Sequence, residues 1–218
     1  MELAPVFPLP SSVLFPDTIL PLHIFEPRYR QMVRDVANAD GQIAIALLEP
    51  GFEQDYEGAP AFHRTGTVGR VENLEELDNG RFNLHLVGLR RVYFEEVPSP
   101  TPYRIARLLP RNEEPVDDDD TRIVEAKLGL LASHAYLLQQ FSGAPGTSLA
   151  ANDRLSFRAA VNGVCANMPV EAPLRQSLLE IDDLRERQRN AQAMVNEVLE
   201  KVIELRASEA DGDESQLN

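Results

Sequence analysis

The chain has 218 residues, 43% of them hydrophobic, enough to bury a sizeable core in one large domain or two small ones. Its 21 basic and 35 acidic residues leave a formal charge of -14, so the average surface repels phosphate backbones and anionic membranes. A single cysteine, Cys165, excludes an intrachain disulfide, and neither a basic-apolar leader nor a membrane-length apolar run is present, which predicts a cytoplasmic protein with no membrane partner.

Residues 1–115 are dense in proline and in short alternating runs, the pattern of strands joined by turns. A strand is expected at 18–24. Pro27 then suits a first helical position, and Tyr29, Met32, Val33 and Val36 recur at helical spacing before Asn38 and Gly41 stop the helix. A strand at 42–48 leads into 49–66, a long aperiodic connection with Phe52, Tyr56 and Phe62. These aromatics suit peptide capture on a loop or, equally, packing back onto the sheet. The clearest piece is a hairpin: 68–77, a turn at Asp78-Asn79-Gly80, then Phe82, Leu84 and Leu86 facing a core while His85 faces water. Gly88 marks a bulge that bends the sheet towards closure, and further strands are expected at 92–97 and 103–109.

From 116 onward the pattern is helical. Asp117 to Asp120 stabilise the start of a helix at about 119–141, a Gly/Pro/Ser loop spans 142–148, and a second helix covers about 152–167 until Pro169. From Pro173 to about Arg206 apolar residues return every three or four positions, predicting one long helix on the order of 50 Å. Its distal half folds back on the bundle or meets another chain along Val195, Val198 and Val202. The acidic end, 208–218, is expected to be disordered.

Chemistry-bearing patterns are absent. No Gly-Lys pair exists for a phosphate-binding loop, and the only lysines, Lys127 and Lys201, sit beside carboxylates that favour the charged state over that of a catalytic base. The histidines, His23, His63, His85 and His134, lack zinc-ligand spacing, so no metal or cofactor is expected. Arg185, Arg187 and Arg189 follow Asp182 and Asp183 at intrahelical pairing distance. Arg28 and Arg30, with Arg34, form a basic strip at the start of the first helix or simply its solvated face.

The run Phe7-Pro8-Leu9-Pro10-Ser11-Ser12-Val13-Leu14-Phe15-Pro16, followed by Leu20-Pro21-Leu22-His23-Ile24-Phe25-Glu26-Pro27-Arg28-Tyr29, closely resembles the opening of the Lon protease N-terminal domain family. Gly66 to Gly69, Asn79 to Arg81, Gly88 to Arg91, Tyr103 to Arg107 and the segment around Gln176 to Arg185 continue the resemblance to about residue 205. It implies an α+β fold: a PUA-like pseudo-barrel lobe with one helix (1–115), then a helical bundle with a long C-terminal helix (116–207). Within it, Pro16, Pro21 and Pro27 set turns and a helix start while Phe15, Leu22 and Phe25 fill core positions. Asp17 departs from the family's usual glycine and puts the local turn geometry in question. The expected function is a freestanding, non-catalytic module that binds unfolded or partner proteins, as an adaptor or regulator of a protease. Phe52, Tyr56, Phe62, Arg28 and Arg30 are its candidate contacts, and the last helix is a candidate homodimer seam. RNA binding through the PUA-like lobe is the alternative, which the net charge disfavours.

Overall fold

A computed structural model of the protein describes residues 2–55, 58–142 and 154–214. Six strands, β1 Leu3–Leu9, β2 Ile19–Ile24, β3 Gln42–Leu47, β4 Thr65–Glu76, β5 Phe82–Val97 and β6 Arg104–Pro110, build the first lobe with one helix, α1 Pro27–Ala37. The spatial order is β2-β5-β4-β3-β1-β6, and a further β5–β6 pairing closes five strands into a barrel. Closure depends on the length of β5: residues 82–87 lie between β2 and β4, whereas 92–97 pair with β6. The register slips by one residue where Val68 faces Arg90 but Gly69 faces Gly88. The extra residue bends the strand at the position Gly88 marks in the sequence. A β-carbon on Gly88 would stand 2.1 Å from the Phe15 carbonyl oxygen, so only glycine fits there.

β1 is the strand that alternation does not reveal, because Pro5 and Pro8 interrupt it. Each proline sits where β1 has a single partner: Pro5 pairs only with β6 and Pro8 only with β3, so the missing N–H groups break no ladder on both sides. The 92–97 strand is the second half of β5. Tyr29, Met32, Val33 and Val36 of α1 are buried against Phe7, Leu14, Ile24, Phe82, Leu84 and Leu86 in one core.

The second lobe holds α2 Thr121–Ser142, α3 Phe157–Asn167, α4 Ala172–Glu180 and α5 Leu184–Glu214. Gln188 bonds the Ala126 carbonyl near the start of α2, and Arg206 bonds Gln140 near its end, so α2 and α5 run parallel. Val195 is fully buried in the helical core, with Val198 packed against it, so the proximal seam of α5 is covered by its own chain. The single helix expected from Pro173 is two helices, broken at Ile181 to Asp183. Apolar spacing runs unbroken across the gap, but Asp183 caps α5 by accepting bonds from Arg185 N (2.7 Å) and Glu186 N (3.0 Å). α5 also continues to Glu214, into the segment expected to be disordered, since adding a turn to an established helix is far easier than starting one. Residues 215–218, and the Gly/Pro/Ser loop from 143 with Asn152, lie outside the described residues.

Candidate functional site

The lobes meet through apolar and ionic contacts. Val13, Phe15 and Leu47 leave the barrel and enter the helical core, while Phe7 and Leu14 of the same segment fill the barrel core. Beside them the break between α4 and α5 frees a run of carbonyls, and arginines take them up. Arg91 donates to Leu179 O (2.8 Å) and Ile181 O (2.9 Å), Arg187 to Leu178 O (3.1 Å) and Ile181 O (2.6 Å), and Arg111 to Glu180 O (3.1 Å). Between the two guanidinium groups lies Glu113, whose Oε1 is 2.9 Å from Arg91 Nε and 2.6 Å from Arg187 Nη2. Both arginine side chains are fully buried. Burial, then the neighbouring Arg187 charge, lowers the Arg91 pKa to about 10, against the opposing pull of Glu113 and Asp182. Asp182, in the break itself, pairs across the lobes with Arg111 (2.7 Å) and Arg91 (3.1 Å), not with the arginines that follow it in α5, and Arg187 belongs to this junction and not to an intrahelical pair.

Next to the junction, β2 is the terminal strand and, among the described residues, pairs only with β5. Thr18 O accepts a bond from Gly88 N (2.9 Å), which sets the parity: Leu20, Leu22 and Ile24 turn their backbone groups to β5, and Ile19, Pro21 and His23 turn theirs to the free edge. That edge offers the N–H groups of Ile19 and His23 with Pro21 between them. Ile19 (61% exposed) and Phe25 (60%) stand at its two ends, so Phe25 does not take the core position expected for it. Phe25 stacks instead against His23 at 6.2 Å.

Two grooves flank the strand. One, of about 440 Å³, separates Asp17 to Pro21 from Leu155, Ala159, Gly163 and Ala166 beside α3. The other, of about 550 Å³, is more polar and is lined by Pro21, His23, Asn73, Glu75, Asn83 and His85. The first is braced at both ends. Arg175 reaches Ser11 O (3.0 Å) and the last turn of α3 at Ala166 O (3.5 Å). Arg158 grips Asp17 through two bonds of 2.8 Å. Asp17 keeps the left-handed turn that a glycine would allow (φ 63°), a conformation Asp tolerates, and adds a carboxylate that crosses to α3.

The residues singled out in the sequence are not gathered here. Phe62 is buried at 8% exposure, edge-on to Phe94 (5.8 Å) and beneath the Arg104 guanidinium (4.1 Å). Phe52 packs, partly buried, against the same cluster. Tyr56 lies outside the described residues. Arg28 bonds Glu26 (3.0 Å) and covers the Tyr29 ring (4.7 Å), while Arg30 lies under the 78–80 turn, near Gly80. The feature missed, the free edge of β2, does have a sequence signal: a proline inside an alternating run marks an edge strand.

Reacting side chains do not converge among the described residues. Lys127 donates to Leu155 O (3.0 Å), and Glu197 holds Lys201 above its ordinary pKa, the reverse of an activated amine. Burial pushes the Cys165 thiol up to about 12, far from a reactive thiolate. No helix among the described residues is long and apolar enough to cross a membrane.

A small barrel capped by one helix, locked to a helical bundle, with an edge strand and a groove at the joint, defines a two-lobed α+β domain. The chain belongs to the ATP-dependent protease La (LON) substrate-binding domain family, whose model matches residues 4–197. It is 25% identical over 199 residues to a Lon protease of Flavobacterium johnsoniae, covering 91% of this chain and 24% of that protein. It is 27% identical over 200 residues to Lon protease 2 of Sorangium cellulosum, covering 90% and 25%. The chain therefore spans about a quarter of the length of the curated relatives it matches. Among solved structures it resembles the N-terminal domain of a Mycobacterium avium complex Lon protease (TM-score 0.67, 17% identity, 89% of this chain and 98% of that one). It also resembles a Lon N-terminal domain protein from Xanthomonas campestris (TM-score 0.62, 25% identity, 88% and 98%).

Proposed function

We propose that this chain is a non-catalytic recognition module that binds extended segments of non-native proteins by adding them as a strand to the free edge of β2. Apolar side chains of the bound segment enter the groove against α3. The observation that carries the reading is the unpaired β2 edge, flanked by exposed Ile19 and Phe25 and bordered by two grooves. Strand addition takes affinity from backbone hydrogen bonds, which any sequence supplies, and selectivity from alternate side chains, which suits a binder of varied unfolded chains. The family's substrate-binding description supports the same direction. In this reading the protein works in the cytoplasm as an adaptor or regulator that holds such segments for a protease. The loop that carries Phe52, Tyr56 and Phe62, together with Arg28 and Arg30, would supply an outer contact region, with the buried Phe62 as its support and not as a contact. Self-association would use the distal, exposed Ile203 and Leu205 of α5, since Val195 and Val198 are engaged internally.

The test is capture of a denatured reporter protein by the wild type and by Ile19→Asp and Phe25→Ser, at low and high salt. Both side chains are mostly exposed, so both variants should fold. Each should weaken capture about tenfold, the size of a central contact residue. Capture that survives both changes, or salt-sensitive RNA as the only specific cargo, would sink the reading.

A further inference from the structure

The groove between β2 and α3 has two charged residues in its lining, Asp17 and Arg175, and they are not alike. Asp17 is matched by Arg158, in the first turn of α3, through two bonds of 2.8 Å. Arg175 has no such counterpart: no carboxylate of the described residues pairs with it. Glu171, one turn earlier and at the spacing of a helical ion pair, is exposed and makes no bridge to it. Burial alone lowers the Arg175 pKa, with no neighbouring carboxylate pulling the other way. The arginines of the lobe junction differ, since Arg91 and Arg187 share Glu113 and Arg111 holds Asp182.

A guanidinium carries five N–H donors. Arg175 gives one from Nη2 to Ser11 O (3.0 Å) and one from Nη1 to Ala166 O (3.5 Å), while its buried Nε bonds nothing among the described residues. Each Nη therefore keeps a second hydrogen. The last turn of α3, to which Ala166 belongs, supplies about half a negative charge, so Arg175 is offset in part and not neutralised. The same two bonds fix its place. Ser11 lies on the barrel side and Ala166 on the helix side, so Arg175 spans the groove from wall to wall and closes it. A chain lying in the groove must end there or leave it. From Arg158 to Ala166 the helix rises about 12 Å, the length of about four residues of extended chain. Ala159 and Gly163 line that stretch and leave it small and apolar.

We infer that Arg175 receives the C-terminal carboxylate of the bound chain, whose last apolar residues lie along α3 between Arg175 and Asp17. The inference rests on the peptide-binding reading and narrows it: free apolar chain ends are preferred over internal segments. The probes are a short apolar peptide labelled at its N terminus, the same peptide amidated at its C terminus, and an amidated version ending in aspartate. Their affinities for the full chain are measured by fluorescence anisotropy at low salt. The free acid should bind about tenfold tighter than either amide, the worth of a charge-assisted hydrogen bond, and the ratio should fall to about one in Arg175→Gln. An aspartate amide that equals the free acid overturns the terminal assignment in favour of side chains. Equal affinities of acid and amide, in binding that Ile19→Asp still weakens, overturn the subsite and leave the groove reading standing. Binding by none of the peptides overturns both. A ratio that stays near tenfold in folded Arg175→Gln overturns the role of Arg175. Should that variant not fold, the wild-type Arg175 Nε–Hε resonance decides: a shift with the free acid and none with the amide supports the inference, and the same response to both overturns it.

Discussion

Replacing Glu113 with glutamine tests whether the lobes are held by the buried ion cluster. The change preserves shape and an acceptor oxygen but removes the carboxylate that two fully buried guanidinium groups share. Breaking a buried ion pair costs about 3–5 kcal/mol, because the charge left behind is neither solvated nor compensated. Arg91 retains Asp182 and the carbonyls of Leu179 and Ile181, and Arg187 retains Leu178, Ile181 and Asn162, so the loss should lie near the lower end, about 3 kcal/mol. Against a total of about 5–15 kcal/mol for a typical domain, that is easily resolved. Urea unfolding followed by circular dichroism and by tyrosine fluorescence, the chain having five tyrosines and no tryptophan, measures it with two probes. Adding Arg187→Met removes one of the unpaired charges, so the double variant should be more stable than the sum of the single effects requires. The control is Glu95→Gln, whose partner Arg107 lies 2.8 Å away on an exposed face and which should cost no more than about 1 kcal/mol. A Glu113→Gln loss as small as that of the control would refute the argument that the cluster couples the lobes.

Asp17→Gly should stay within about 1 kcal/mol of the wild type, since it frees a left-handed turn while losing a half-exposed ion pair; Asp17→Ala loses the pair and strains the turn, for about 1–2 kcal/mol in thermal unfolding. Gly88→Ala should cost about 3 kcal/mol or prevent folding, because its β-carbon collides with the Phe15 carbonyl at 2.1 Å. Burial lowers the His134 pKa below its ordinary 6.5, with the bond to the Asn167 carbonyl opposing. Protons therefore favour the unfolded chain: the His134 contribution is fully present above pH 6.5 and is lost as pH falls through the folded-state value, a slope that His134→Leu should flatten in pH-dependent denaturation.

Local patterns were legible in the sequence and long-range ones were not. The α1 face, the hairpin turn and the Gly88 bulge each follow from the nearest few residues, and each stands where those residues place it. The α4–α5 break was hidden because Leu178, Ile181 and Leu184 keep helical spacing straight through it. Its signal was Asp183 followed by Glu186, the polar pair of a helix start, masked by the nearby arginines. No spacing could connect Arg91, Glu113 and Arg187, which come from a strand, a linker and a helix and meet only after both lobes have formed. Phe25 differs for a related reason: a phenylalanine after an alternating strand reads as core, and only the sheet order shows that, among the described residues, this strand has no strand neighbour on its outer side.

The segment that carries the family resemblance is a joint before it is anything else. Phe7 and Leu14 belong to one core and Val13 and Phe15 to the other, so the chain cannot loosen between them without opening both. The joint runs directly into the proposed binding edge, since Asp17 turns the chain into Ile19 and also fastens it to α3. A peptide lying along β2 would therefore meet a groove whose two walls are already fixed by the joint, by Arg158 at one end and by Arg175 at the other. Little of the binding energy would go into arranging the receptor. Selectivity among unfolded chains would then depend on what the fixed groove presents: backbone bonds at Ile19 and His23 and apolar surface against α3. On the proposed reading a module for varied partners would keep a rigid core, because the adaptable partner in strand addition is the incoming chain.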